Sequence, residues 1–278
     1  MSLDSMADIL HCMEQEGKEF WEVVLAADME ERQVSRESSL AKMLTTWQAM
    51  VDASDSYTGD RRSVSGLVGG DGLKMRQYAI RGKAMSGGYV SEVIAEALSM
   101  AESNACMRRI VAAPTAGACG VLPAVLLPLC KYEELNQRQI LEALYVASGI
   151  GAVIAYRACI AGAAGGCQAE IGVAVSMASA ALCSMMTDDP DTIHCAASLG
   201  GQVLMGLLCN PIEGYVQVPC IVRNMAAVPT AVTCANAALA GMDHIVPLDD
   251  VVALMLAVGE KIRPCDEAGT YILKKEEE

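Results

Sequence analysis

Aromatic side chains are scarce in this chain, which has one Phe, two Trp and eight Tyr among its 278 residues. Sheet cores ordinarily draw on aromatic and β-branched residues, so this composition favours helices. Basic residues are also few, 20 Lys and Arg against 34 Asp and Glu, and the formal charge is -14. Such a chain repels nucleic-acid phosphates and anionic membrane surfaces. We therefore predict a helical protein that binds neither.

Long runs without charge are present, but they lack the uniformity of a membrane span. Residues 111–130 and 225–242 contain no Asp, Glu, Lys or Arg, yet proline interrupts both. We interpret them as buried segments. The first residues carry acids in place of a basic segment and an apolar run, so we expect no secretory signal and a cytoplasmic protein.

Several catalytic signatures are missing. The chain has no HExxH, GxSxG or Walker motif, and no GxGxxG loop followed by an acid. Three histidines occur, none at metal-motif spacing, and we interpret them as structural: His11, His194 and His244. A pyridoxal phosphate enzyme needs a Schiff-base lysine. No lysine lies between Lys131 and Lys261, and we interpret the remaining candidates, Lys74 and Lys83, as surface residues.

The hydrophobic pattern predicts one large all-α domain, in which amphipathic helices wrap apolar central helices. Residues 1–54 show apolar positions at helical spacing and predict an N-terminal helical layer. Residues 55–88 are rich in glycine and predict loops. Residues 89–262 predict the helical core, with central helices drawn from three small-residue segments: 150–166, 171–186 and 195–209. Residues 263–278 form a divergent tail.

Three helix starts are visible in the core. Asn136 and Gln139 form a capping box, and Asp189 precedes a proline suited to the first helical position. Asp249 predicts a third start near the end of the core.

Twelve cysteines are the abundant reactive side chains. In a cytoplasmic protein of this size they are more often core thiols or metal ligands than disulfides. Cys167 follows two glycines, Cys209 precedes Asn-Pro and Cys220 follows a proline, and such turns can aim thiolates at a shared point. Five others lie in apolar runs and predict core thiols: Cys130, Cys159, Cys183, Cys195 and Cys234. Without a CxxC pair, spacing alone leaves cluster ligands and core thiols both open.

The cysteine contexts occur together with SGGYVSEVIAEALSMAESNACMRRIVAAPTAGACGVLPAVL and AGAAGGCQAEIGVAVSMASAAL. This combination closely resembles the iron-sulfur-dependent L-serine dehydratases, and in particular the alpha subunit of the two-chain form. The resemblance runs from about residue 66 to 259, and the intervals of 42 and 11 residues between the three cysteines fit the family.

The resemblance implies a cofactor and a reaction. Cys167, Cys209 and Cys220 would hold a [4Fe-4S] cluster in an all-helical catalytic domain. Three protein ligands leave one iron open as a Lewis acid for L-serine, which is converted to pyruvate and ammonia. L-Threonine and L-cysteine remain alternative substrates. A role in amino-acid degradation and gluconeogenesis follows from the family alone.

The resemblance also indicates substrate-binding residues in two glycine-bearing loops, SGG and PTAG, and in the ESNACM segment. Backbone N-H groups of such loops can hold a carboxylate, whereas the alternative interpretation of each loop is an ordinary tight turn. The predicted residues are Ser86, Gly87, Gly88, Asn104, Thr115, Ala116 and Gly117.

The family's Ser-Ser-His-Thr segment, which belongs to the beta portion and is thought to provide the catalytic histidine, is missing here. Neither His194 nor His244 lies in a family active-site motif. We therefore expect the general base from a partner chain, the beta subunit, in a heteromer whose active site closes at the interface.

The chain departs from the family pattern in three places. Cys119 follows PTAG closely, and Asn210 replaces an aspartate after the second cluster cysteine. The tail keeps Arg263, Glu267 and Gly269 in approximate register only, and its Cys265 is a candidate fourth cluster ligand. Two alternatives to an enzyme remain open, a non-catalytic iron-sulfur sensor and a cluster-free regulatory or scaffold subunit.

Overall fold

A computed structural model describes residues 3–82, 84–212 and 214–262 of the chain. These residues contain no β-strand, and an isolated antiparallel bridge joins Ile212 to Tyr215. The prediction of an all-α fold is confirmed. Five residues named above lie outside the described ranges: Lys83, Arg263, Cys265, Glu267 and Gly269.

The helices follow one another along the chain, with the longest connections before α4, α6 and α11. The first half of the chain contains α1 (Met6–Glu16), α2 (Phe20–Arg32), α3 (Arg36–Asp55), α4 (Asp71–Ile80), α5 (Gly87–Ala105) and α6 (Val121–Tyr132). The second half contains α7 (Gln137–Arg157), α8 (Gly162–Cys167), a π-helical turn (Gln168–Gly172), α9 (Val173–Ser184), α10 (Pro190–Gln202), α11 (Gln217–Leu239) and α12 (Leu248–Gly259).

Helix α9 forms the centre of the fold. Every residue from Val173 to Cys183 is buried, and α6, α7, α10 and α11 pack around it. Small side chains allow the close approach of these helices, since a Cβ added to Gly200 of α10 would lie 2.7 Å from the Cα of Ser176. The predicted apolar centre is therefore a buried helix within a shell of others.

The amphipathic layer α1–α3 packs on this centre mainly through α2 and α7. Phe20 and Val24 of α2 are buried against Gly149 of α7, where an added Cβ would come within 2.5 Å of Val24 Cγ2. The glycine provides the space into which the hydrophobic face of α2 fits.

Within the described residues, three helical stretches are long and apolar enough to cross a membrane by length and composition: Gln137–Arg157, Gly162–Ser184 and Gln217–Leu239. The buried shares of their apolar windows are 61%, 94% and 44%. Packing inside the fold accounts for the composition of the second stretch. The expectation that no membrane is involved stays a prediction.

Two predicted helix starts are confirmed. Asn136 and Gln139 form a reciprocal capping box at α7, and the Asp189 side chain accepts a hydrogen bond from the Thr192 amide at the start of α10. Both depend on residues that are close in sequence.

Asp249 is not the N-cap residue of the last described helix, as its prediction as a helix start implies. Helix α12 begins after Pro247, and Asp249 lies in its first turn. Its carboxylate accepts hydrogen bonds from the amides of Met6 and Ala7, at 2.9 and 3.1 Å, and from Arg157 Nη1 at 2.7 Å. It therefore caps α1, which is more than 240 residues away, instead of its own helix.

The prediction that residues 55–88 form only loops is wrong, because α4 lies within this segment. The start of α4 is fixed by Glu102 of α5, which is 1% exposed. Its Oε1 accepts from the Asp71 amide at 2.7 Å, and its Oε2 accepts from the amides of Gly70 and Gly72 at 3.0 and 3.3 Å. A carboxylate 30 residues away thus replaces the missing local cap.

Replacing Glu102 with Ala removes the acceptor of three amides at the start of α4, of which that of Gly72 is buried. We expect Glu102→Ala to lower the free energy of unfolding by at least about 2 kcal/mol in urea titrations. Glu92→Ala, a control on the same helix at a more exposed position, should cost less than about 1 kcal/mol. Equal losses for the two variants would contradict the capping role of Glu102.

Candidate active site

A buried amide joins the PTAG turn to the helix that carries Cys220. After Thr115 the chain forms a 3₁₀ turn, Ala116–Ala118, which leads into α6. The side chain of Asn224 on α11 is fully buried; its Nδ2 donates to the carbonyl oxygens of Gly117 at 2.6 Å and of Cys220 at 2.8 Å. Its Oδ1 accepts from the Gly120 amide at 3.0 Å. The turn and the cysteine are therefore held in a fixed relation.

A cavity of about 220 Å³ lies beside this turn. Its polar lining residues are Asn104, Gly117, Glu170, Gln217 and Cys220. Asn104 comes from the last turn of α5, and its Nδ2 donates to the carbonyl oxygen of Ala116 at 2.8 Å. Two predicted substrate residues and one predicted cluster ligand thus line one cavity that has room for a small polar molecule.

Glu170 is the acidic group of this cavity, and the sequence analysis missed it. It lies on the π-helical turn directly after Cys167, and its carboxylate accepts a hydrogen bond from the Thr115 hydroxyl. A Cβ on Gly117 would lie 2.6 Å from Glu170 Oε1, and one on Gly162 would lie 2.8 Å from its Oε2. The two glycines make room for the carboxylate.

A signal for Glu170 was present in the sequence. It is the sole Asp, Glu, Lys or Arg between Arg157 and Asp188. A single charge in so apolar a stretch is unusual, because an isolated buried charge is costly without a partner or a function.

Glycine also shapes the turn that presents Cys167. Gly166 has φ +73°, and a Cβ there would lie 2.8 Å from the carbonyl oxygen of Leu207. Gln168, two residues later, donates its backbone amide to that same oxygen at 3.1 Å, and its Oε1 accepts from the Gly206 amide at 2.7 Å. The segment that leads to Cys209 is therefore tied to the turn of Cys167.

The structure brings Cys167, Cys209 and Cys220 into one neighbourhood. Cys209 hydrogen-bonds to Cys167, and burial raises the pKa of the Cys167 thiol, although Arg223 opposes this shift. Burial raises the pKa of Cys220 to about 12, and Glu170, Cys167 and Cys209 add to this effect. The thiols are thus close enough to act on one another electrostatically.

Arg223 is the cation of this neighbourhood, and it was also missed. Its Nη1 donates to Cys167 Sγ at 2.6 Å, and its Nη2 donates to Asn210 Oδ1. It lies one helical turn after Cys220 on α11. A guanidinium here favours the thiolate form of Cys167 and links the first two cysteine segments.

Cys119, a departure from the family pattern, borders this region. It is 1% exposed, and burial raises its pKa to about 12, with Cys220 and Glu170 among the groups that raise it further.

Five other thiols were predicted to lie in the core. Three of them are buried, Cys183, Cys195 and Cys234, whereas Cys130 and Cys159 are half-buried.

The SGG loop lies apart from this cavity. Gly87 and Gly88 form the first turn of α5, whereas Asn104 is in its last turn. The 16 residues from Gly88 to Asn104 span about 24 Å at the helical rise of 1.5 Å per residue. The structure does not bring Ser86, Gly87 and Gly88 together with the PTAG turn, because a continuous helix separates the two motifs. Their role in substrate binding stays a prediction.

The histidine that α10 carries contacts a second histidine and a helix start. His194 Nε2 accepts a hydrogen bond from the Leu248 amide at 2.9 Å, and its ring centroid lies 4.3 Å from that of His244. Neither residue lines the cavity beside the PTAG turn.

The lysine Lys74, interpreted above as a surface residue, is exposed and forms an ion pair with Asp71 at 2.7 Å.

Comparison with known proteins shows the family of the chain. Residues 15–267 match the family described as serine dehydratase alpha chain. The chain belongs to this family. The expected resemblance is therefore confirmed, and the family region includes all three cysteines and the residues that line the cavity beside the PTAG turn.

Individual relatives cover most of the chain. An L-serine dehydratase alpha chain from Peptoniphilus asaccharolyticus is 34% identical over 94% of this chain and 89% of its own length. A probable L-serine dehydratase alpha chain from Bacillus subtilis is 35% identical over 86% and 80%. L-serine dehydratase 2 of Escherichia coli is 43% identical over 59% of this chain but only 36% of its own length.

A methyl group on Gly117 must displace Glu170 or the PTAG turn. We expect Gly117→Ala to lower Tm by several degrees, because overpacking of this size costs about 1 to 3 kcal/mol. Gly172→Ala is the matched control, since its Cβ would meet Leu204 at an ordinary 3.8 Å and its φ is helical. Unchanged Tm in both variants would contradict the close packing around Glu170.

The buried histidine predicts a pH dependence of stability. Burial, with a further contribution from His244, lowers the pKa of His194 to about 4. In the unfolded chain the imidazole binds a proton near pH 6.5, whereas in the folded chain it stays neutral down to about pH 4. The folded state is therefore fully stabilised by this difference above pH 6.5, and it loses about 3 kcal/mol in total as pH falls towards 4.

Urea titrations of wild type, His194→Gln and His11→Gln between pH 7 and 4.5 measure this loss. His194→Gln should show a shallower fall in unfolding free energy than wild type, whereas His11→Gln should follow wild type. The same slope in all three proteins would rule out His194 as the source.

Proposed function

We propose that this chain is the alpha subunit of an L-serine dehydratase, which forms pyruvate and ammonia from L-serine together with a beta subunit. The observation that carries the proposal is the shared cavity of Asn104, the PTAG turn and Glu170, with Cys220 in its wall. Relatives of similar length are named as alpha chains of this enzyme.

The donor set suits an iron-sulfur cluster. Three thiols lie in one partly buried neighbourhood with Arg223, whose charge offsets the negative charge of thiolate ligands. Among the described residues, no three His, Cys, Asp or Glu side chains are arranged to hold a single metal ion. A cluster spreads its ligands over a larger volume than one ion does, so we assign Cys167, Cys209 and Cys220 to a [4Fe-4S] cluster.

The residues of this chain provide the binding groups. The Glu170 carboxylate, placed by Thr115 and given space by Gly117, suits the α-ammonium group of L-serine. The Ala116 and Gly117 amides start a 3₁₀ turn, where N-H groups lack intrahelical partners, and they suit the substrate carboxylate. An open iron of the cluster supplies Lewis acidity that makes the β-hydroxyl a better leaving group.

The reaction balances without a further reactant. A base takes the α-proton, the β-carbon loses hydroxide, and the resulting aminoacrylate hydrolyses to pyruvate and ammonia. The cavity of this chain has no histidine among its lining residues. We assign the base to the beta subunit, which completes the site at the rim, where Val216 lines the cavity and is 45% exposed.

The cluster assignment is tested by iron and acid-labile sulfide content after anaerobic purification. Wild type should contain about four of each per chain, and serine at Cys167, Cys209 or Cys220 should remove most of both. Cys183→Ser and Cys234→Ser, at buried thiols elsewhere in the fold, are the controls and should keep them. Absence of iron from wild type after anaerobic reconstitution would overturn the assignment.

The activity is tested by adding the beta subunit and measuring pyruvate release from L-serine, with L-threonine and L-cysteine as competing substrates. Activity should require both chains and should be lost in air. A cluster-containing complex without turnover would favour the sensor alternative, and a protein that never takes up iron would favour the scaffold.

A further inference from the structure

A second and larger cavity, of about 570 Å³, lies between α3, α4, α5 and α6. It shares no lining residue with the cavity beside the PTAG turn. Its wall from α5 contains Gly88, Glu92 and Glu96, and the last of these is eight residues, about 12 Å along the helix, from Asn104. The proposed reaction leaves this cavity without a role.

Glu96 is the unusual group of this cavity. Its side chain is buried, with 7% of the residue exposed, and its Oε2 accepts from Arg76 Nη2 at 2.8 Å. Its Oε1 is buried and has no hydrogen-bond partner in the part of the chain that the structure describes. A carboxylate oxygen left in this way is costly, so it calls for a donor that the described protein groups do not supply.

The surroundings favour a positively charged donor. Arg76 is already engaged, because it pairs with Glu96 and lies over the ring of Tyr57 at 5.2 Å. Two further acids, Glu92 and Asp55, line the same space. An ammonium group satisfies Glu96 Oε1 with a charge-assisted hydrogen bond, and the neighbouring acids favour a cation at this end of the cavity.

The rest of the wall fits a carboxylate and an apolar group. Lys131, in the last turn of α6, is exposed and lines the cavity, and Gly88 belongs to the first turn of α5, where amides attract anions. Leu127, Pro128 and Ala79 give the remaining wall an apolar surface.

We propose that this cavity binds a zwitterionic α-amino acid with an apolar side chain, whose ammonium group contacts Glu96 Oε1 and whose carboxylate faces Lys131. The proposal does not depend on the function assigned to the cysteines. The proposed site lies along the N-terminal half of α5, apart from the cavity beside the PTAG turn.

Calorimetric titration of the full chain with three probes tests the two polar ends separately. L-Leucine carries both charged groups, 3-methylbutylamine lacks the carboxylate and 4-methylpentanoate lacks the ammonium. We expect L-leucine to bind most tightly, the amine at least fivefold more weakly, and the carboxylate not at all. At a tenfold excess over its Kd, L-leucine should raise Tm by about 3 °C.

Three variants locate the site. Glu96→Gln should weaken both L-leucine and the amine at least tenfold, whereas Glu142→Gln, which also breaks an ion pair with an arginine, should change neither. Lys131→Met, at an exposed position, should weaken L-leucine and leave the amine unchanged, which decides the question even if Glu96→Gln fails to fold.

Two results would overturn the proposal. One is that wild type shows no binding of L-leucine at concentrations up to about 10 mM, because a specific site of this kind should have a Kd below that value. The other is equal L-leucine affinity in wild type and Lys131→Met, because the carboxylate would then not lie at the proposed place.

Discussion

The three hydrogen bonds of Asn224 are the constraint on which the candidate site depends. All of them go to backbone groups, the carbonyl oxygens of Gly117 and Cys220 and the amide of Gly120. A buried amide with this many partners is costly to rearrange, because each broken bond leaves a polar atom without water. The PTAG turn and Cys220, to which we assign substrate and cluster binding, are therefore held as one rigid unit, which is the condition for placing a small substrate accurately.

Two partly buried charged groups, Glu170 and Arg223, give the proposed site its electrostatic character. Both groups act electrostatically on Cys167, in a region of mostly small, uncharged residues. Low polarity around the two groups strengthens their interactions with any charged partner. The same region pairs an acid suited to an ammonium group with a cation suited to thiolates, and glycines at 117 and 162 give the acid its space. The small-residue composition of this segment therefore serves the site, because bulkier side chains at these two glycines would occupy the space of the Glu170 carboxylate.

The fold class and two helix starts could be predicted because they depend on composition and on neighbours in sequence. Asn136 and Asp189 cap helices through contacts three residues away. Helix α4 could not be predicted, because its start is fixed by Glu102, about 30 residues later. In the site, the neighbouring glycines and prolines were enough to single out the three cysteines. The roles of Glu170 and Arg223 could not be predicted, because each depends on a contact with a residue 55 or 56 positions away. The motifs alone also did not predict that SGG and Asn104 lie at opposite ends of one continuous helix.

The contact of Asp249 with the start of α1 has a consequence for how the chain is made. The first amides of α1 gain their acceptor from a residue about 240 positions later. At roughly 5 to 20 residues per second, a ribosome needs on the order of 10 to 50 seconds to add that intervening length. During this time α1 can form and pack against α2, but its first amides lack this acceptor. The last helix of the described chain thus sets the moment at which the first one becomes fully native.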